Sequence, residues 1–180
     1  MQLPITSVFI AMSLDGFIAR SDGDVSWLPT SGAPEDGDFG YGAFMSGIDT
    51  IVYGRKTFEK VMTMDFWPFR EERVIVLSTG TPHIPEKRKD QVETMNLEPG
   101  DLLDRLGREG SQGVYVDGGI TIQRFLRAGA LDRIIVTIIP VLIGSGIPLF
   151  GELTADIPLA LESARTFSNG MIQCHYRIDR

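Results

Sequence analysis

The chain has 180 residues, enough for one domain burying roughly 70% of its unfolded surface, and its 17 basic and 24 acidic residues leave a net charge of −7. With no long basic stripe, a nucleic acid or membrane-surface partner is not expected, and no apolar run reaches membrane-spanning length, nor does a basic leader open the chain, so the cytoplasm is the default compartment. One cysteine excludes an intrachain disulfide, two histidines make a Cys/His zinc site improbable, and the H-x-E and P-C-x-x-C pattern of zinc deaminases is absent.

Ser7–Met12 is a continuous apolar run suited to a central strand covered on both faces. It gives way to SLDGFIARSDGDVSWLP, whose Gly, Asp and Ser content predicts a long surface loop, and loops this long are commonly functional. Glu35, Asp36 and Asp38 place acidic groups where a helix N-terminus favours them, ahead of Phe39, Phe44 and Met45. Thr50–Tyr53 reads as a strand running into Gly54-Arg55-Lys56-Thr57 and a helix carrying Phe58 and Val61. Val74–Leu77 is a third strand, ending at Ser78-Thr79. Pro82, Pro85 and the charge run Glu86–Asp90 predict a solvated loop, Val92–Met95 a short strand, and Leu102, Leu103 and Leu106 an amphipathic helix.

In Gly113–Leu126 the apolar run Val114-Tyr115-Val116 meets Asp117, then Gly118-Gly119, then Ile122, Phe125 and Leu126 at helical spacing. This predicts a buried strand feeding through two glycines into a helix, with Gly129 at its C-cap. Ile134–Ile139 is another buried strand, and Pro140–Gly151 a Gly/Pro-rich loop. Leu159–Ser163 and Met171–Ile178 flank Asn169-Gly170, a hairpin signal, with Cys174 on the core face. Strands alternating with helices, and no repeat or linker, predict one α/β domain over residues 1–180: a mostly parallel central sheet with an antiparallel C-terminal edge hairpin and helices on both faces.

Two strand-to-helix junctions carry phosphate-friendly residues, Gly54–Thr57 and Gly118–Thr121. Glycine admits close approach of a ligand to the backbone, and the unpaired N–H groups at a helix start favour an anion. In a doubly wound sheet both junctions can face one crevice beyond the strand ends, which suits a dinucleotide pyrophosphate. Thr57 and Thr121 add hydroxyls, and Arg55-Lys56 add a local positive charge that fits an extra phosphate monoester, favouring NADPH over NADH. Otherwise Arg55 and Lys56 are exposed first-turn residues, where cations are unfavourable. Neither G-x-G-x-x-G nor a P-loop is present.

The succession AMSLDGFIA, WLP, IVYGRKTFE, VIVLST, VYVDGGITIQRFL and IIVTIIPVLIGSGIPLFG resembles the dihydrofolate reductase superfamily, and within it the C-terminal reductase domain of bifunctional riboflavin-biosynthesis deaminase/reductases and its stand-alone relatives. The resemblance covers nearly the whole chain. It implies a dihydrofolate reductase-like fold and NADPH lying across the sheet. Arg55 would meet the adenosine 2′-phosphate, Lys56 and Thr57, beside Gly54, the pyrophosphate side, and Leu77, Ser78 and Thr79 the adenosine. Gly118, Gly119, Ile120 and Thr121 would wrap the pyrophosphate, and Ala11, Met12 and Ile18 would border the nicotinamide. In dihydrofolate reductases the Gly-Gly peptide is cis, which sets that expectation for Gly118–Gly119.

The implied reaction is hydride transfer from NADPH to a pterin, pyrimidine or related carbonyl or imine, as in 5-amino-6-(5-phosphoribosylamino)uracil reductase. Alternatives are dihydrofolate reductase proper and a non-catalytic NADP(H)-binding module of the same fold. Asp38 falls where dihydrofolate reductases carry the substrate carboxylate, whose burial would raise its pKa; otherwise it caps its helix. Asp15 is the rival acid, or forms a turn with Gly16. Trp27 lines the pocket or pins the loop. Three departures bear on substrate: Phe17 follows SLDG where riboflavin-pathway reductases have a basic residue, Asp117 replaces their Glu before Gly-Gly, and Glu72, with Arg70 and Arg73 nearby, stands where a folate-clamping arginine would be. The family commonly forms homodimers, with the Pro140–Gly151 loop and the C-terminal strands as candidate contacts.

Overall fold

The apolar runs become the parallel centre of a sheet. In a computed structural model residues 2–29 and 37–179 are described. The strands are β1 (Ile5–Ser13), β2 (Phe17–Ala19), β3 (Thr50–Gly54), β4 (Arg73–Leu77), β5 (Val92–Met95), β6 (Gly113–Asp117), β7 (Arg133–Ile139), β8 (Ile147–Pro148), β9 (Leu159–Thr166) and β10 (Ile172–Ile178). The helices are α1 (Tyr41–Met45), α2 (Arg55–Val61), α3 (Pro99–Glu109) and α4 (Gly119–Arg127). Eight strands pair in the order β5-β4-β3-β6-β1-β7-β10-β9, while β2 and β8 form a separate small ribbon. The first six of that order run parallel, and β10 and β9 close the sheet antiparallel.

Alternation along the central strands sends side chains to two cores, which is why these strands read as unbroken apolar runs. Val8, Val52, Ile75, Val116 and Val136 pack beneath α3 and α4, against Leu102, Leu106, Ile122 and Phe125. Ile51, Tyr53, Val74, Val76 and Tyr115 pack on the other face against Phe58 and Val61 of α2, with Tyr41 and Phe44 of α1 alongside. Full burial of a side chain such as Phe58 or Ile122 contributes about 1.5–3 kcal/mol. Cys174 joins the first core, as its register on β10 requires. A third cluster joins Ile139, Phe167 and Met171 to Ala11, Trp27 and Phe39 at the carboxyl ends of β1 and β7.

Two expectations need correction, and a third lies partly outside the described residues. The segment after β1 is not loop throughout: Phe17–Ala19 pairs with Ile147–Pro148, because the Gly/Pro-rich loop folds back beside it. Among the described residues no peptide bond is cis, so Gly118–Gly119 is trans; Gly118 instead turns the chain at φ 97°, open to a residue without a Cβ. Of the acidic trio placed ahead of α1, Asp38 is described, whereas Glu35 and Asp36 lie outside the described residues.

Candidate active site

Because β3 and β6 are parallel neighbours with Tyr53 opposite Asp117, their carboxyl ends fall side by side. The junctions that follow interlock. Thr121 Oγ1, on the first turn of α4, lies 2.6 Å from where a Cβ on Gly54 would sit. Thr57 Oγ1, on the first turn of α2, would clash with a Cβ on Gly118. Each threonine therefore occupies the space left by the other junction's missing side chain. Among the described residues neither hydroxyl has a hydrogen-bond partner, and Thr121 is only 4% exposed. The N–H groups opening α4 have no carbonyl one turn back; the series begins with Ile122 N–H to Gly118 O at 2.8 Å. Ile120, 65% exposed, stands at the rim of this opening.

Leu77 lies opposite Gly54 in the β3–β4 register, so the turn after β4 flanks the same junction. Ser78 Oγ accepts the Gly80 N–H at 3.1 Å, tightening that turn. The Arg55 Nη1 atom lies 3.5 Å from where a Cβ on Gly80 would sit, while its Nε donates to Glu59 Oε1 at 2.7 Å. Arg55 thus lies beside the turn that follows β4 and carries the Ser78 hydroxyl. On the far side of the Gly-Gly turn the β2–β8 ribbon packs against Gly119, where Ile18 Cδ1 and Ile147 Cγ2 both lie 3.2 Å from a Cβ position. At the end of β1, Met12 packs toward the α3/α4 core and Ala11 toward the Trp27 cluster.

The sequence alignment of the family described as the RibD C-terminal domain matches residues 4–173. The chain belongs to that family. It is 37% identical over 174 residues, 95% of this chain and 96% of the other, to the uncharacterized protein YwjB of Bacillus subtilis. It is also similar, at 28% identity over 176 residues covering 93% and 91% of the two chains, to the uncharacterized protein YyaP of the same organism. Among solved structures, a protein of Shewanella sp. PV-4 provisionally named for riboflavin biosynthesis superposes with a TM-score of 0.91 at 34% identity, covering 98% of this chain and 99% of that one. The Thermotoga maritima diaminohydroxyphosphoribosylaminopyrimidine deaminase/5-amino-6-(5-phosphoribosylamino)uracil reductase shares the fold with a TM-score of 0.73 at 19% identity, matching 98% of this chain and 57% of its own.

Within this RibD-type domain the acids singled out in the sequence behave differently from one another. Asp38 is exposed, and its carboxylate accepts the N–H groups of Gly42 at 2.6 Å and Gly40 at 2.9 Å. Those bonds hold its carboxyl below the ordinary value, opposite to the rise that burial at a substrate anchor would give. Its carboxylate thus binds the start of α1 from two residues ahead of the N-cap, Gly40. Asp15 accepts from Gly144 N–H at 2.7 Å and Ile143 N–H at 3.3 Å, stapling the turn after β1 to the loop after β7. Its carboxyl is lowered by the Ser13 hydroxyl first, then by those amides. Arg73 is engaged by Glu93 and Glu109, while the exposed Arg70 makes no ion pair among the described residues. Trp27 sits in the Ala11 cluster with its indole Nε1 buried and unpartnered among the described residues.

Two further residues stand out in the structure, Asp117 by its setting and Gln173 by its burial. The Asp117 Oδ1 accepts the Gly118 N–H at 2.7 Å, and desolvation raises the Asp117 carboxyl to about 6 despite that bond. The same charge lifts the buried Tyr115 and Tyr53 phenols, already raised by burial, still further above their ordinary range. Strand alternation places Asp117 with Tyr115, a signal available in the sequence. Gln173, on the polar-reading face of β10, is 4% exposed, and nothing in its local pattern announces that burial.

Proposed function

We propose that this chain is an NADPH-dependent reductase acting on a planar heterocycle of the pterin or pyrimidine class, with chemistry akin to the uracil reductase named in its Thermotoga structural neighbour. The observation that carries the reading is the reciprocal seating of Thr57 against Gly118 and Thr121 against Gly54, which supports one phosphate cradle made from two junctions. The residues fit the cofactor: unpaired N–H groups at the start of α4 and two unengaged hydroxyls for a pyrophosphate, with Arg55 and Lys56 for a 2′-phosphate. Ser78, Thr79 and Leu77 would flank the adenosine, and Ala11, Met12 and Ile18 would keep water from the nicotinamide. When bound, NADPH supplies a hydride.

The chain's own contribution at the substrate end is apolar enclosure and a proton. Phe39, Phe167, Met171 and Trp27 form an aromatic-rich wall beside Ala11. Asp117, at the end of β6 next to the Gly-Gly turn, has its carboxyl raised to about 6 by desolvation and would be a proton source for the nitrogen or oxygen next to the reduced carbon. Asp38 and Asp15 are assigned supporting roles instead, as cap and staple. Exposed, amide-bonded Asp38 and ion-paired Arg73 do not support the folate reading, so a heterocycle without a folate tail is favoured. The resemblance also implies a homodimer, and the exposed Leu159, Leu161 and Ile172 on one face of β9 and β10 support it. The function is tested by following NADPH oxidation across a panel of pterin, pyrimidine and quinonoid acceptors: turnover with a member of the panel is expected, and NADPH binding without any turnover would favour the non-catalytic module.

A further inference from the structure

The Gln173 carboxamide has all its polar atoms engaged inside the sheet end. Its Nε2 donates to Phe39 O at 3.1 Å and to Thr137 Oγ1 at 3.0 Å, and its Oε1 meets His175 Nε2 at 3.2 Å. A backbone carbonyl only accepts, so the amide orientation is fixed: nitrogen toward Phe39, oxygen toward the imidazole, which must donate. Phe39 is the one non-glycine residue, among the described residues, with a positive φ, 58°. Such a conformation persists where the surroundings over-determine it. Two anchors do so here, the bond from Gln173 and an edge-on ring contact with Phe167 at 5.1 Å. The turn held in this way leads directly into α1, a five-residue helix too short to persist by itself.

We propose that Gln173 is a positioning residue for the substrate end of this site: it pins the Phe39 turn from β10, fixing where the aromatic wall stands beside Ala11. The proposal rests on the reductase reading for what the wall receives, but the anchoring itself does not. Gln173 also takes Thr137 Oγ1 as an acceptor, which turns the Thr137 proton away from the amide and leaves it without an acceptor among the described residues. Beside the aromatic cluster of Phe39 and Phe167, Thr137 on β7 thus keeps one hydroxyl donor, a combination suited to a planar ring bearing a carbonyl or ring-nitrogen acceptor.

Amide hydrogen exchange on the full chain tests the anchor. In Gln173→Met the amides of Tyr41 and Phe44, which bond to Asp38 O and Gly40 O, should exchange about tenfold faster, while those of β3 and β6 hold. Thr137→Val removes only the other acceptor and should leave Tyr41 and Phe44 protected. Gln173→Glu, which retains an oxygen for His175 but lacks a donor for Phe39 at neutral pH, should match Gln173→Met and serves if that variant does not fold. Protection unchanged in both Gln173 variants, or equal loss in Thr137→Val, overturns the proposal. With an acceptor that the wild type reduces, Gln173→Met should raise KM about tenfold and leave the Kd for NADPH within about twofold. An unchanged KM beside a loosened turn would deny the wall its role in binding, whereas a wild type that reduces no acceptor defeats the reductase reading and leaves the exchange result standing.

Discussion

Thr121 on α4 reaches across the β3–β6 boundary to lie 2.6 Å from the missing Cβ of Gly54, and Thr57 on α2 answers it at Gly118. The close approach leaves no room for a side chain at either glycine. At Gly118 the backbone adds a second restriction, φ 97°. Gly118→Ala should therefore cost about 1–3 kcal/mol, a fall of about 2–4 °C in Tm for each kcal/mol. Gly100→Ala provides the contrast, because a Cβ there meets nothing within 4 Å and the residue lies within α3. Thermal unfolding of the two variants should show loss in the first, and no change or a small gain in the second.

Cofactor discrimination should reside in Arg55. Removing a guanidinium from a phosphate costs about 1.5–3 kcal/mol, or about 10–100-fold in affinity. Arg55→Ala should weaken NADPH by that factor and leave NADH nearly untouched, as read by fluorescence titration of both nucleotides. Equal weakening of both would make Arg55 a structural partner of Glu59 and no more.

The pH dependence of stability separates Asp117 from the other acids. Its carboxyl titrates near 6 in the folded chain against an ordinary value of 3.8, so between those values the folded state holds more protons than the unfolded one. Stability contributed by this residue is present below pH 4 and declines as pH rises through about 6. Asp15 and Asp38 act in the opposite sense: their lowered values add stability above the ordinary carboxylate range that is lost as pH falls. Because Asp117→Asn leaves those two in place, the difference in Tm between wild type and variant isolates Asp117. The variant should gain on the wild type as pH rises from 4 to 7, and parallel profiles would contradict the assignment.

The sheet was legible because its central strands are short apolar runs. Val74–Leu77 and Gly113–Asp117 could hardly be anything else in a parallel sheet covered on both faces. The Asn169-Gly170 turn marked the antiparallel hairpin for the same local reason, with Gly170 at φ 84°. What local pattern could not show was pairing between distant segments. The β2–β8 ribbon joins residues 17–19 to 147–148, and neither piece carries a strand signal by itself. Asp38 shows a related limit: an acid ahead of a helix fits both a capping and a substrate-anchoring reading, and its amide partners and exposure are not visible in the sequence. Gln173 lies with His175 and Arg177 on the polar-reading face of an alternating strand, and the sequence does not show that Phe39, 134 residues away, comes to meet it.

The central claim is that two separate junctions make one cradle for a phosphorylated nucleotide. Backbone amide NMR during titration with NADPH tests it most directly. The account predicts that Arg55–Thr57, Ser78–Thr79 and Gly118–Thr121 shift together along a single saturation curve, with the pocket lined by Leu153 and Ile157 unaffected. Shifts confined to one junction, or centred elsewhere on the molecule, would contradict it.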